Sequence, residues 1–160
     1  MKTSELIETI TLVLNMTEKE VRGYAKHLRD NGLLSKNRGR YYPDVTSTDA
    51  ANLVVAIMGA ENAHRGPAAV ENYEVFRDFI AEELDQSDFD TVPFEEVEYI
   101  MIDRRVNWAR IQHYGGGGRL IAGINSEGSI AAVTGLQLNA TLKVVELYPF
   151  WAHLHGKHLD

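Results

Sequence analysis

A chain of 160 residues is long enough for one domain or two small ones, and 44% apolar residues is the proportion of an ordinary globular protein. The absence of cysteine excludes disulfides, thiolate metal centres and cysteine nucleophiles. The net charge of −7 is unevenly spread: residues 1–43 hold eight Lys or Arg against five Asp or Glu, a net of +3, so the remaining 117 residues carry −10.

In chain order, the stretch from Glu5 to Tyr42 predicts two short helices around a tight turn, followed by a basic hairpin. Leu6, Ile7, Ile10, Val13 and Leu14 recur at helical intervals, and Thr3 or Ser4 is the expected cap. Asn15 tolerates a left-handed backbone and can end this helix. Thr17 with Glu20 fits a capping box for a second helix, whose apolar stripe is Val21, Tyr24, Ala25 and Leu28 and whose stop is Gly32. Lys19, Arg22 and Lys26 fall on one outer face of that helix. Beyond it, Lys36-Asn37-Arg38-Gly39-Arg40 offers three cations on a hairpin tip that Asn37 and Gly39 can turn, with Tyr41 and Tyr42 returning as a strand.

This pattern resembles the helix-turn-helix of bacterial and phage regulators. In those proteins a hydrophobic turn residue precedes the recognition helix, a Val sits about five residues into it, and the helix ends in Leu-x-x-x-Gly-Leu-Leu. Here those places are Met16, Val21 and Leu28 through Leu34, about a quarter of the chain. Asn15 stands where that family usually has Gly, and the extra leading helix of three-helix versions is missing, so support is expected from later in the chain or from a second subunit. The short wing Arg38-Gly39-Arg40 and the helix start Thr48 to Leu53 also resemble small proteins of temperate phages and prophages, a group that implies no defined activity. The resemblance implies double-stranded DNA as partner, with Thr17, Lys19, Arg22, Lys26, Lys36, Arg38 and Arg40 as the contacting residues, and a homodimer as the expected state.

Pro43 ends the wing, and Thr46-Ser47-Thr48-Asp49 supplies capping side chains for a helix whose apolar residues, Ala50 to Met58, imply burial. A loop with His64 and Arg65 leads to Pro67, the expected first turn of one helix to Leu84. Its stripe is Val70, Tyr73, Phe76, Phe79 or Ile80, and Leu84, opposite Glu71, Glu74, Asp78, Glu82 and Glu83. After an acidic loop, a further helix is expected from Thr91 or Pro93 to about Arg105, burying Phe94, Val97, Ile100 and Met101. Glu95 and Glu98 share a face of it but read as solvated carboxylates, not as an acid–base pair.

From Val106 onward, β-branched residues and alternation take over. Val106–His113, Arg119–Asn125, Ser129–Leu138 and Ala140–Tyr148 predict antiparallel strands, with Phe150–His155 as a last edge strand. The run Gly115–Gly118 lacks the setting of a phosphate-binding loop. His153 and His155 share a face of that edge strand and, with His158, are weak metal candidates only.

The reading is an α+β protein: a winged helix-turn-helix over 1–43, a helical region over 44–105, and an antiparallel β region over 106–160 that serves oligomerisation or a partner. No serine, histidine or carboxylate pattern marks an active site, so a non-enzyme without cofactor is expected. The longest apolar run, Leu53–Met58, is far short of a membrane span, and the charged start MKTSELIETI lacks an export signal's apolar core, so a cytoplasmic setting is expected. The function that fits is a sequence-specific DNA-binding transcriptional regulator. Two alternatives stay open: a protein-binding module, in which the acidic body meets a basic host protein as an inhibitor would, and a phage DNA-packaging or structural component.

Overall fold

A computed structural model describes residues 1–36, 43–85, 97–104, 108–113, 118–122 and 139–143. Within them the chain forms five α-helices and a four-stranded antiparallel sheet.

Helix α1 spans Thr3–Val13 and α2 spans Glu18–Asp30. The first begins one residue earlier than its Thr/Ser cap predicts: Lys2 is the cap residue, and its N–H donates to Glu5 Oε2 at 2.6 Å. Both helices end in the same motif. Asn15 takes φ +49, its N–H reaches Leu12 O at 3.3 Å, and Met16 N–H reaches Thr11 O at 3.1 Å. At the end of α2, Gly32 takes φ +77, with Gly32 N–H to Arg29 O at 3.1 Å and Leu33 N–H to Leu28 O at 2.9 Å. In each case a left-handed residue turns the chain while the last carbonyls stay satisfied. Leu6, Ile7 and Ile10 of α1 and Val21, Tyr24, Ala25 and Leu28 of α2 are buried, as their spacing predicts.

Helix α3, Ser47–Gly59, is the hub, with every residue from Asp49 to Met58 buried. It packs on α2, α4 and α5, and on two strands. This is the support that α1 and α2 lack by themselves. Where one helix is expected from Pro67 to Leu84, the chain forms two, α4 (Gly66–Asn72) and α5 (Glu74–Asp85), broken at Tyr73. The stripe survives the break because Tyr73, itself buried, ends α4 at a non-helical φ of −112 and ψ of 33, and Val70, Phe76, Ile80 and Leu84 remain inside. A Cβ on Gly59 would lie 2.9 Å from the Tyr73 ring, so the end of α3 needs glycine at this crossing.

The helix expected up to Arg105 is contradicted over its second half. Residues Val97–Asp103 form strand β1, which pairs antiparallel with β2 (Trp108–His113) and β4 (Asn139–Lys143); β3 (Gly118–Ala122) pairs with β2, giving the order β3-β2-β1-β4. The sheet therefore starts before residue 106, and one of its two central strands comes from the region read as helical. The cause of the misreading is a β-bulge. The register passes from Val97↔His113 to Tyr99↔Gln112, which places one extra residue between them. Val97, Ile100 and Ile102 thereby share one face, with Ala109 and Ile111 on β2, and all five are buried. An apolar spacing of three, then two, imitates a helical stripe.

Sheet and helices join at the end of β1. Arg104 Nε and Nη2 donate to the carbonyls of Met58 and Ile57 at 2.7 and 2.9 Å, capping the C-terminus of α3. Tyr73 Oη donates to Asp103 O at 3.5 Å. Burial, reinforced by the Asp103 charge and opposed by Arg104, pushes the Tyr73 phenol up to about 12. The expected strand over Ser129–Leu138 and edge strand over Phe150–His155, with His153, His155 and His158, lie outside the described residues.

Candidate nucleic-acid interface

Helix α2 carries the residues that the sequence singles out. Its N-terminus is fixed by the predicted box: Glu20 N–H donates to Thr17 Oγ1 at 3.3 Å, and Thr17 N–H donates to Glu20 Oε2 at 3.0 Å. The Thr17 hydroxyl also donates to Glu20 Oε2 at 2.6 Å, so this candidate contact residue is engaged in the cap. Those bonds, the hydroxyl's first, hold the Glu20 carboxyl below its ordinary range.

Because four positions of α2 are buried against α1 and α3, the opposite side faces water. Lys19, Arg22 and Lys26 are all exposed there, at intervals of three and four that align them along one face. Arg22 is tied to Glu18 one turn back, Nε to Oε1 at 2.7 Å. The pair is more than half exposed and contributes little stability, so the guanidinium can exchange Glu18 for another anion at small cost. Arg29 turns inward, donating to Ala25 O at 3.2 Å, and does not join the face.

Gly23, which the sequence places beside these cations, meets a neighbour: a Cβ there would lie 3.6 Å from Ala63 Cβ. Ala63–Arg65 form a short 3-10 turn that packs along α2. The ring of His64 stands edge-on to His27 of α2, with centroids 5.4 Å apart. This turn brings His64 and Arg65, both exposed, next to α2. Sequence reasoning reads them as plain loop; the only prior signal is a His-Arg pair between two helices.

Past α2, Lys36 is exposed, while Arg38 and Arg40 lie outside the described residues. The structure thus brings Lys19, Arg22 and Lys26 together, with His64 and Arg65 alongside. The acidic side chains gather on another element: Glu74, Asp78, Glu82 and Asp85 on α5 are exposed, with Arg77 Nε bonded to Asp78 at 2.8 Å. Among the described residues no group of three or more His, Asp or Glu side chains is placed to hold a metal ion, and no helix is long and apolar enough to cross a membrane. Compared with known proteins, the chain matches no family model, no curated protein and no solved structure.

Proposed function

We propose that the chain is a sequence-specific, double-stranded-DNA-binding transcriptional regulator that acts as a homodimer, the role implied by the resemblance to the helix-turn-helix of bacterial and phage regulators. The observation that carries this reading is the outer face of α2. Three cations, Lys19, Arg22 and Lys26, stand in line on a helix whose other side is locked into the core. A helix held this way can enter a major groove without unfolding anything, and lysine and arginine are the side chains that meet phosphates and guanine edges. Lys36, Arg38 and Arg40 extend the cationic run in sequence and supply backbone contacts in this reading.

If four to six phosphates are neutralised per subunit, log K falls with log salt at a slope of roughly −4 to −5. The test is fluorescence anisotropy with a random duplex at several salt concentrations, alongside the solution mass. Arg22→Ala with Arg38→Ala is expected to abolish binding while the circular dichroism spectrum and melting temperature stay unchanged. Equal affinity for wild type and double variant would sink the reading.

A specific feature favours one rival. Val75 is 58% exposed among the carboxylates of α5, which suits a protein-binding module whose basic partner docks on the acidic side. Capture of a partner that survives nuclease treatment, and is lost on Val75→Asp, would favour it. A ring of eight or more copies in solution would favour a packaging component instead.

A further inference from the structure

Two imidazoles meet where the connection between α3 and α4 crosses α2. The His27 and His64 rings lie with centroids 5.4 Å apart and planes at 82°. His27 projects from α2 one turn beyond Gly23, and His64 is the middle residue of the 3-10 turn Ala63–Arg65. His64 is exposed and His27 half-buried, so the pair opens to water. Among the described residues neither imidazole takes part in a hydrogen bond or an ion pair, which leaves ring nitrogens to act as ligands.

The backbones that carry the two rings are well held. The turn is closed by its own cap, with Arg65 N–H donating to Asn62 Oδ1 at 3.2 Å and to Asn62 O at 3.0 Å. Just beyond it, a Cβ on Gly66 would lie 3.3 Å from both Ala56 of α3 and the Tyr24 ring of α2, so α4 starts wedged between those helices. Ligands carried on such supports lose little freedom when they close on an ion.

The spacing suits one ion shared by both rings. Zinc–imidazole bonds are about 2.0–2.1 Å and a ring centre lies about 1.1 Å behind its nitrogen, so two imidazoles on a tetrahedral ion stand with centres about 5.2 Å apart. The observed 5.4 Å meets that separation. Rotation about each Cβ–Cγ bond aims the nitrogens and leaves the ring centre nearly in place. That torsion is soft, and His64, being exposed, can turn about it. Lys26 and Arg65 bring positive charge close in sequence; the exposed carboxylates of Asp30, one turn beyond His27, and of Glu61 offset it.

We propose that His27 and His64 form a two-histidine site for a divalent first-row transition ion, with water in the remaining positions, and that the bound ion clips the α3–α4 connection to α2. Imidazole suits Zn²⁺, Ni²⁺ and Cu²⁺, whereas Mg²⁺ takes oxygen ligands. The site needs neither a duplex nor a second subunit, so it stands apart from the DNA-binding reading. An edge-on contact between two rings also occurs at this separation, and only a response to metal tells the two apart.

The test is thermal melting of the full chain with Zn²⁺, each protein being compared with itself in EDTA. For a Kd of about 10 µM, free Zn²⁺ at about 100 µM multiplies the folded-to-unfolded ratio about tenfold and raises the melting temperature by about 4 °C. His27→Ala and His64→Ala are each expected to reduce that shift below about 1 °C, and Mg²⁺ at the same concentration is expected to give none. His64 lies outside the core, so its variant is expected to melt in EDTA as wild type does. His113, His153, His155 and His158 remain in every protein, so an ion held elsewhere keeps its effect in both variants. A wild-type chain that gains nothing from Zn²⁺ overturns the proposal, as does a shift that persists in His64→Ala or one that Mg²⁺ reproduces.

Discussion

Helices α2 and α5 are built alike and charged oppositely. Each buries an apolar stripe toward α3: Val21, Tyr24, Ala25 and Leu28 on one, Phe76, Ile80 and Leu84 on the other. Each lays its polar side in water. On α2 that side carries Lys19, Arg22 and Lys26 together with Glu18, Glu20 and Asp30; on α5 it carries Glu74, Asp78, Glu82 and Asp85. The core does not distinguish them, since burial constrains only the inner stripe. The difference lies entirely in residues that the fold leaves unconstrained, which is where selection for a charged partner acts. It also explains how a chain of net charge −7 can present a face suited to a polyanion.

Charge reversal tests this contrast most strongly. Replacing Lys19, Arg22 and Lys26 with Glu is expected to lower duplex affinity by more than about 100-fold, since three attractive contacts become repulsive. Replacing Glu74, Asp78 and Glu82 with Lys is expected to leave specific affinity within about threefold. Equal losses from both triples, measured by anisotropy at fixed salt, would show that bulk charge rather than the α2 face governs binding.

A smaller effect comes from adding one methyl group on each side. Gly59→Ala drives a Cβ into the ring of Tyr73, at the break between α4 and α5, and is expected to cost about 2 kcal/mol of unfolding free energy. Gly23→Ala meets Ala63 at an ordinary contact distance and removes a flexible residue from the middle of α2, so it is expected to stabilise by about 0.5–1 kcal/mol. Urea denaturation separates the two signs.

The smallest effect is one of pH. The Tyr73 phenol is pushed up to about 12 by burial and by Asp103. A raised pKa means that the folded state favours the neutral phenol. The associated stability is fully present below the unfolded value near 10 and is lost as pH rises from there toward 12. Wild type should therefore lose melting temperature faster than Tyr73→Phe across that window, and parallel curves would remove Tyr73 as the cause.

What the sequence discloses depends on how local the signal is. The Thr17–Glu20 box, the left-handed Asn15 and Gly32, and the stripes of α1, α2 and α3 are each written within a few neighbouring residues, and each is found where the spacing puts it. Strand β1 is misread because its bulge shifts the alternation by one and leaves Val97 and Ile100 three apart. The break at Tyr73 has no Gly or Pro to announce it; it depends on a ring packing against Gly59. Of the candidate contact residues, Lys19, Arg22 and Lys26 are legible from helical periodicity. The neighbouring His64 and Arg65 are not, because only the packing of their turn on α2 places them there. Asp49 is legible as a cap of α3, but its bonds from Ser35 are not, since that partner is fourteen residues away.

Arg104 has a consequence for anyone who would dissect the chain. Its guanidinium closes the open carbonyl end of α3 from the far end of β1, and β1 and β4 cover part of that helix. A fragment cut after residue 85 would strip the hub helix of its terminal cap and lay bare apolar surface. Such a fragment is expected to aggregate or to melt well below the intact chain. The amino-terminal helices and the carboxy-terminal sheet are, on this account, a single inheritance that cannot be divided between α5 and β1.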